Sequence, residues 1–207
     1  MTDKPKLYFV TAIGTDSGKT LVSAILCEFL SADYWKPIQA GIPTDADAVR
    51  NLVSNRKVAI HPEAYRLKTP ESPHAAAHHE GLHVRISDLQ LPNTTRSLVI
   101  EGAGGCLVPL NDEEFVIDIA SRFNASIILV SNFYLGSINH TLLTIEALKR
   151  RGLNVVGIIF NGPRNEESER IIMRHGSYPC ILNIEAEPVI TRETVQKYAA
   201  KIPVGIL

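Results

Sequence analysis

Three short stretches carry the residue types that can handle a polyphosphate. In Ala12-Ile13-Gly14-Thr15-Asp16-Ser17-Gly18-Lys19-Thr20, a glycine, a lysine and a hydroxyl residue follow the apolar run Leu7–Thr11. Backbone amides beside Gly18 can close on phosphate oxygens. The Lys19 ammonium can neutralise β- and γ-phosphate charge, and Thr20 offers a hydroxyl to Mg²⁺. The usual spacing G-x-x-x-x-G-K-[ST] would put glycine at position 13, where Ile13 stands, so the match is partial. An ordinary tight turn capped by Thr15 or Ser17 is the other reading. The second stretch is Leu98-Val99-Ile100 running into Glu101-Gly102-Ala103-Gly104-Gly105. A carboxylate at the C-terminal end of a buried strand can hold Mg²⁺ directly or through water, and the glycines let a ligand approach the backbone. Taken alone, the same residues also suit a plain Gly-rich turn. The third is Trp35-Lys36-Pro37-Ile38-Gln39-Ala40-Gly41. Ligands of parallel sheets bind at strand C-terminal ends, so Lys36 would face the crevice that holds Lys19 and stabilise charge during phosphoryl transfer. Without that context a lysine before a proline turn reads as a surface residue.

These residues need a sheet to bring them together, and the pattern supplies one. Leu7–Thr11, Tyr34–Lys36, Leu98–Ile100, Ser126–Val130 and Val155–Phe160 are short apolar, β-branched or aromatic runs, as strands covered on both faces should be. Helical spacing puts Leu21, Ala24, Ile25 and Phe29 on one face of Lys19–Leu30. Further helices are expected over Glu114–Phe123, Ile138–Arg151, Glu166–His175 and Thr191–Ala200. The alternation predicts an α/β fold with a mostly parallel sheet and helices on both faces. Ile38–Gln90 is more polar and reads as loops and short helices laid over the sheet. All the motifs must share one sheet, so residues 1–207 are expected to form a single domain.

Composition narrows the setting. The chain has 207 residues, with 21 Lys+Arg against 22 Asp+Glu, so a globally basic nucleic-acid binder is excluded. No run of 18 apolar residues occurs, so no membrane span is expected. The opening Met-Thr-Asp-Lys-Pro-Lys lacks the long apolar stretch of a signal peptide. Cys27, Cys106 and Cys180 form no CxxC and are odd in number, which suggests neither a zinc site nor a disulfide framework. A reducing cytoplasm is the expected compartment. The segment His79-Glu80-Gly81-Leu82-His83 fits H-E-x-x-H, but Gly81 should end the helix that a zinc pair needs, so metalloprotease chemistry is set aside. Ser72-Pro73-His74 is expected to open that helix near the substrate, with Ser72 as N-cap and Pro73 at its first position.

Taken together, Phe9-Val10-Thr11 with Gly18-Lys19-Thr20, Lys36-Pro37-Ile38, Ser72-Pro73-His74, Val99 to Gly105 and Leu135-Gly136-Ser137-Ile138-Asn139-His140 resemble dethiobiotin synthetase, of the biotin pathway. The motifs stand in that family's order from Phe9 to about Asn161. The resemblance implies a P-loop NTPase fold and an ATP- and Mg²⁺-dependent ligase. Such an enzyme closes the cyclic urea of dethiobiotin from 7,8-diaminononanoate and CO₂ or bicarbonate. It implies that Asp16, Ser17, Gly18, Lys19 and Thr20 wrap the triphosphate, with Leu21, Gly102, Ala103, Gly104 and Gly162 beside the nucleotide. Thr20, Asp47 and Glu101 would hold Mg²⁺. Within Thr44-Asp45-Ala46-Asp47-Ala48, Asp47 fits the family's Asp-Ala step, with Asp45 as the reserve. Lys36 and Lys19 would act on the transferring phosphoryl group and Asn161 would read adenine. Ala40 and Gly136, Ser137, Ile138 and Asn139 would contact substrate, the last four from the partner subunit of a homodimer. Read from the sequence alone, Gly136–Asn139 is a helix capped by Ser137.

Two departures stand out. Family members usually carry Ser or Thr where Ala40 stands, so Gln39 or a backbone amide would have to supply that contact. A proline is common where Glu185 follows Asn183-Ile184. Two other functions fit the same fold, a partitioning or septum-positioning ATPase switch and a regulatory nucleotide-binding module. The first usually carries a further lysine at the position of Gly14, and the second would be expected to lose Lys36 or Glu101.

Overall fold

A computed structural model describes residues 5–207. The expectation about a leader falls partly on residues 1–4, outside the described residues. Seven strands form one fully parallel sheet: β1 (Leu7–Ala12), β2 (Asp33–Trp35), β4 (Ile60–His61), β6 (Leu98–Glu101), β7 (Ser126–Asn132), β8 (Val155–Asn161) and β9 (Cys180–Ile184). Their order is β4-β2-β6-β1-β7-β8-β9. The strands β3 (Ile38–Ala40) and β5 (Tyr65–Leu67) pair separately as a small parallel ribbon.

Side chains alternate between two cores, as strand geometry requires. Phe9, Leu98, Ile100, Ile127, Leu129, Ile158 and Phe160 point to one face. There they meet α3 (Pro73–His79), α4 (Asp118–Phe123), α5 (Ser137–Arg150) and α6 (Glu166–Gly176). Tyr8, Val10, Tyr34, Val99, Ile128 and Ile159 point to the other. That face is covered by α1 (Lys19–Leu30), α2 (Asp45–Leu52) and α7 (Arg192–Ala199). Strands buried on both sides account for the continuous apolar runs in the sequence.

The five predicted strands and most predicted helices are present. The helix expected over Glu114–Phe123 starts only at Asp118. Asn111 Oδ1 accepts the amides of Glu113 and Glu114, and the Asp118 carboxylate accepts the amide of Phe115, so these residues turn before the helix begins. The polar span 38–90 does more than cover the sheet: β4 extends its edge, and β3, paired with β5, lines a cleft. The edge strand β9 went unpredicted. Tyr34 lies beside Val99 and Trp35 beside Ile100, which leaves Lys36 at the C-terminal end of β2.

Candidate active site

The cleft lies where β1, β2 and β6 end. Its volume is about 650 Å³, and Thr15, Lys19, Thr20, Lys36, Asp45 and Glu101 line it. A larger open groove of about 970 Å³, between α3 and residues 110–114, includes neither the phosphate loop nor Lys36.

The phosphate loop is built by the turn from β1 into α1. Ile13 still donates to Val130 O at 3.2 Å, as an extension of β1, and its φ is not positive. Glycine is therefore not required at position 13, which explains the departure from the usual spacing. The turn comes later, at Asp16 (φ 57°) and Gly18 (φ 97°). The left-handed backbone at Gly18 favours glycine, and a Cβ there would also have to displace the Asn161 side-chain amide. Gly18 caps α1 without a side-chain hydrogen bond, and no acid occupies the first turn. The first amides of α1 thus remain open to an anion. Lys19 Nζ and Ser17 Oγ each donate to Gly14 O at 3.2 Å. Burial pushes the Lys19 ammonium below its ordinary pKa, a cost that a bound polyanion would offset. The Leu21 side chain packs against the α1 core, so this residue offers an anion only its first-turn amide. Gly104 (φ 64°) keeps the chain after Glu101 tight: a Cβ there would lie 2.8 Å from Val108.

Lys36 is the centre of the site's charge. Its Nζ forms an ion pair with Asp45, lies 3.1 Å from Glu101 Oε1, and donates to Gly102 O at 3.3 Å. Burial would lower the pKa of this lysine, but Glu101 and Asp45 outweigh that effect and hold it above its ordinary value. Thr20 Oγ1 sits between the same two acids, 3.1 Å from Asp45 Oδ1 and 2.9 Å from Glu101 Oε1. Tyr34 donates to Glu101 Oε2 from below at 2.9 Å. Burial, followed by the Glu101 charge, pushes this phenol well above its ordinary pKa, so it stays protonated and can donate.

The structure brings most of the expected residues to one place and leaves one outside it. Asp47 is not part of the cleft. Thr44 caps α2: its Oγ1 accepts the Asp47 amide at 3.1 Å and donates to Asp47 Oδ2 at 2.7 Å. The remaining Asp47 oxygen pairs with Arg50 on the solvent side. Asp45, two residues earlier and so on another side of the helix, is the acid that reaches Thr20 and Lys36. Gln39 does not stand free to replace a hydroxyl at Ala40. Its Nε2 donates to the carbonyls of Ala40 and Gly41 at 3.2 Å each, and its Oε1 accepts the Asp45 amide at 3.1 Å. It is the clasp that sets Asp45 at the start of α2. Ala40 itself lines the cleft, as do Ala103, Gly104, Ser72 and Pro73. Asn161 donates to Ser17 O at 3.0 Å and so ties β8 to the phosphate loop; Gly162 follows it with φ 112°. Glu185, just past β9, is exposed, with its amide held by the Tyr198 hydroxyl at 3.1 Å. Gly136–Asn139 form the first turn of α5 and its cap but do not line this chain's cleft. Leu135 beside them is fully exposed.

The H-E-x-x-H segment is not a zinc helix. α3 stops at His79, Gly81 has φ 65°, and Glu80 accepts the Lys68 amide at 2.6 Å. Among the described residues no group of three or more His, Cys, Asp or Glu side chains is placed to hold a metal. Asp45, Glu101 and Thr20 instead present two carboxylates and a hydroxyl. These are hard oxygen donors of the kind Mg²⁺ takes together with substrate phosphates. No helix among the described residues is long and apolar enough to cross a membrane.

Comparison with known proteins places the chain in a family. A family model described as an AAA domain matches residues 6–194. The ATP-dependent dethiobiotin synthetase BioD of Cytophaga hutchinsonii is 58% identical over 199 residues, covering 95% of this chain and 97% of that protein. The BioD of Christiangramia forsetii is 50% identical, covering 95% and 96%. Among solved structures, a ParA family ATPase from Chlorobium tepidum superposes with a TM-score of 0.55 at 11% identity, over 94% of this chain and 90% of that one. The septum site-determining protein MinD complexed with Mg-ADP, from Pyrococcus horikoshii, does so with 0.52 at 15% identity, over 95% and 88%. At such identities the likeness concerns the fold alone.

Proposed function

The chain belongs to the ATP-dependent dethiobiotin synthetase family, and on that premise we propose how its cleft closes a cyclic urea. The enzyme is a ligase that consumes ATP to form dethiobiotin from 7,8-diaminononanoate and CO₂. One amine adds to CO₂, losing a proton, and becomes a carbamate. A carbamate oxygen attacks the γ-phosphorus of ATP and ADP leaves. The second amine then attacks the carbonyl of the mixed anhydride, phosphate leaves, and the ring closes. None of these steps needs a nucleophile from the protein. The residues position anions and neutralise charge.

Lys36 carries the reading. Its buried ammonium stands beside Glu101 and Asp45, the two acids that also hold Thr20 at the end of the phosphate loop. It would hold the carbamate and stabilise charge on the phosphoryl group in flight. Lys19 and the amides of residues 16–20 would hold the triphosphate. Asp45, Glu101 and Thr20 would hold Mg²⁺, in place of the set with Asp47. When bound, Mg²⁺ supplies charge neutralisation at the β- and γ-phosphates. Asn161 and Gly162, at the end of β8, would border the adenine. We take residues 1–207 as one ATP-binding ligase domain that works in the cytoplasm. The exposure of Leu135, and the absence of Gly136–Asn139 from their own chain's cleft, support a homodimer in which this α5 N-terminus reaches the partner's substrate. Retention of both Lys36 and Glu101 argues against a regulatory module, and Gly14 in place of lysine argues against a partitioning switch.

The test is product analysis. Purified protein incubated with MgATP, isotopically labelled bicarbonate and diaminononanoate should yield dethiobiotin carrying the label in its ureido carbon. Unlabelled or absent product would reject the proposal.

A further inference from the structure

The two oxygens of Glu101 have different surroundings. Oε1 receives Thr20 Oγ1 at 2.9 Å and Lys36 Nζ at 3.1 Å, both from cleft residues. Oε2 receives the Tyr34 hydroxyl at 2.9 Å. Tyr34 is fully buried in the α1-side core and lines none of the cleft, so its hydroxyl touches neither nucleotide nor substrate. Tyr34 and Lys36 are two residues apart, on the same side of β2 and its continuation, and both reach Glu101 from there. Terminal carboxylate torsions are broad and nearly two-fold, so a glutamate held on one oxygen only can swing or exchange its oxygens. A donor beneath Oε2 removes that freedom. It also satisfies a buried oxygen that would be costly to leave unpaired.

We propose that Tyr34 is a positioning residue for the reaction: its hydroxyl fixes Glu101 through Oε2 and so presents Oε1 to the phosphate and metal side of the cleft. The inference rests on the reading of Glu101 as a metal-side acid and goes beyond it by assigning the group that aims it. Tyr34→Phe is the clean perturbation, because it removes one hydroxyl and keeps the ring that fills the core.

The experiment is calorimetric binding of ADP with and without Mg²⁺ for four proteins: wild type, Tyr34→Phe, Glu101→Gln and the double variant. Thermal unfolding is recorded alongside. Tyr34→Phe should leave metal-free ADP affinity within about twofold and weaken the Mg²⁺-dependent gain roughly tenfold, as expected for one lost hydrogen bond to a charged group. In the Glu101→Gln background the same substitution should add nothing. In turnover, kcat should fall and recover in part at high Mg²⁺, with the KM for diaminononanoate unchanged. If Tyr34→Phe keeps the full Mg²⁺ gain while Glu101→Gln loses it, the positioning role is wrong and the reading of Glu101 survives. If Glu101→Gln itself keeps the gain, that reading fails and the inference fails with it. Equal weakening of ADP with and without metal, or a drop in thermal stability alone, would reduce Tyr34 to a packing residue and overturn the proposal.

Discussion

Replacing Lys36 by glutamine separates its two roles. In the free enzyme its side chain is 5% exposed and lies between Asp45, whose side chain is 33% exposed, and Glu101, which is fully buried. The two carboxylates hold the ammonium above its ordinary pKa, so it is charged throughout the physiological range. Glutamine leaves both acids facing one another without a cation. Breaking a buried pair from one side costs about 3–5 kcal/mol. Because Asp45 reaches solvent, we take the lower end, about 3 kcal/mol, which lowers the melting temperature by about 6–12 °C at this chain length. MgADP should stabilise wild type and variant by nearly equal amounts, so the gap between their melting temperatures should persist with ligand bound. The rate should suffer differently. A preorganised cation aimed at developing charge is worth about 10²–10³ in kcat. Affinity for MgADP should change only severalfold, because Lys19 and the loop amides still hold the phosphates. Steady-state ADP release, MgADP calorimetry and thermal unfolding with and without MgADP read the three quantities. Equal losses in affinity and rate, or a kcat within about fivefold of wild type, would refute the assignment of Lys36 to the transition state.

Three further outcomes follow from the same geometry. Asp45→Asn should remove most Mg²⁺-dependent activity. Asp47→Asn, whose target faces Arg50 and solvent, should leave kcat nearly unchanged; the reverse pattern in metal titrations would restore Asp47 to the site. Gly18→Ala should weaken nucleotide binding at least about tenfold, since φ is 97° and the new Cβ displaces the Asn161 amide; ADP calorimetry with near-normal affinity would contradict the loop geometry. Asp33 is buried, which works against its charge. Hydrogen bonds from Thr94, the Ala59 amide and His61 outweigh this and depress its pKa. Its stabilising contribution is therefore complete above the ordinary carboxylate pKa of about 4 and drains away as pH falls through the folded value. Urea unfolding between about pH 3 and 7 should show that slope in wild type and a shallower one in Asp33→Asn; identical slopes would exclude the effect.

What the sequence made legible was contiguous. Gly18-Lys19-Thr20 lie on one turn, and β6 announces Glu101 by its apolar run. Which acid of Thr44–Asp47 enters the cleft was not legible from a dipeptide step. Helix phase decides it: Thr44 caps α2 and binds Asp47 back onto itself, while Asp45 turns inward. The role of Gln39 was hidden for a similar reason, since all its partners are backbone groups, between the end of β3 and the start of α2, that no side-chain pattern marks. Tyr34 did leave a trace, two residues before Lys36 and hence on the same side of the strand. β4, two residues long, carries too few residues for alternation to register. In β9, Cys180-Ile181-Leu182-Asn183-Ile184 is broken by an asparagine, which is poor in strands.

The central claim is that one cleft couples ATP cleavage to carboxylation of a diamine. The direct measurement is ADP release from MgATP with diaminononanoate and bicarbonate supplied together, singly, or not at all. The account predicts release only when both are present, with one dethiobiotin formed per ADP. Equal release without the diamine, or none with the full mixture, would contradict it.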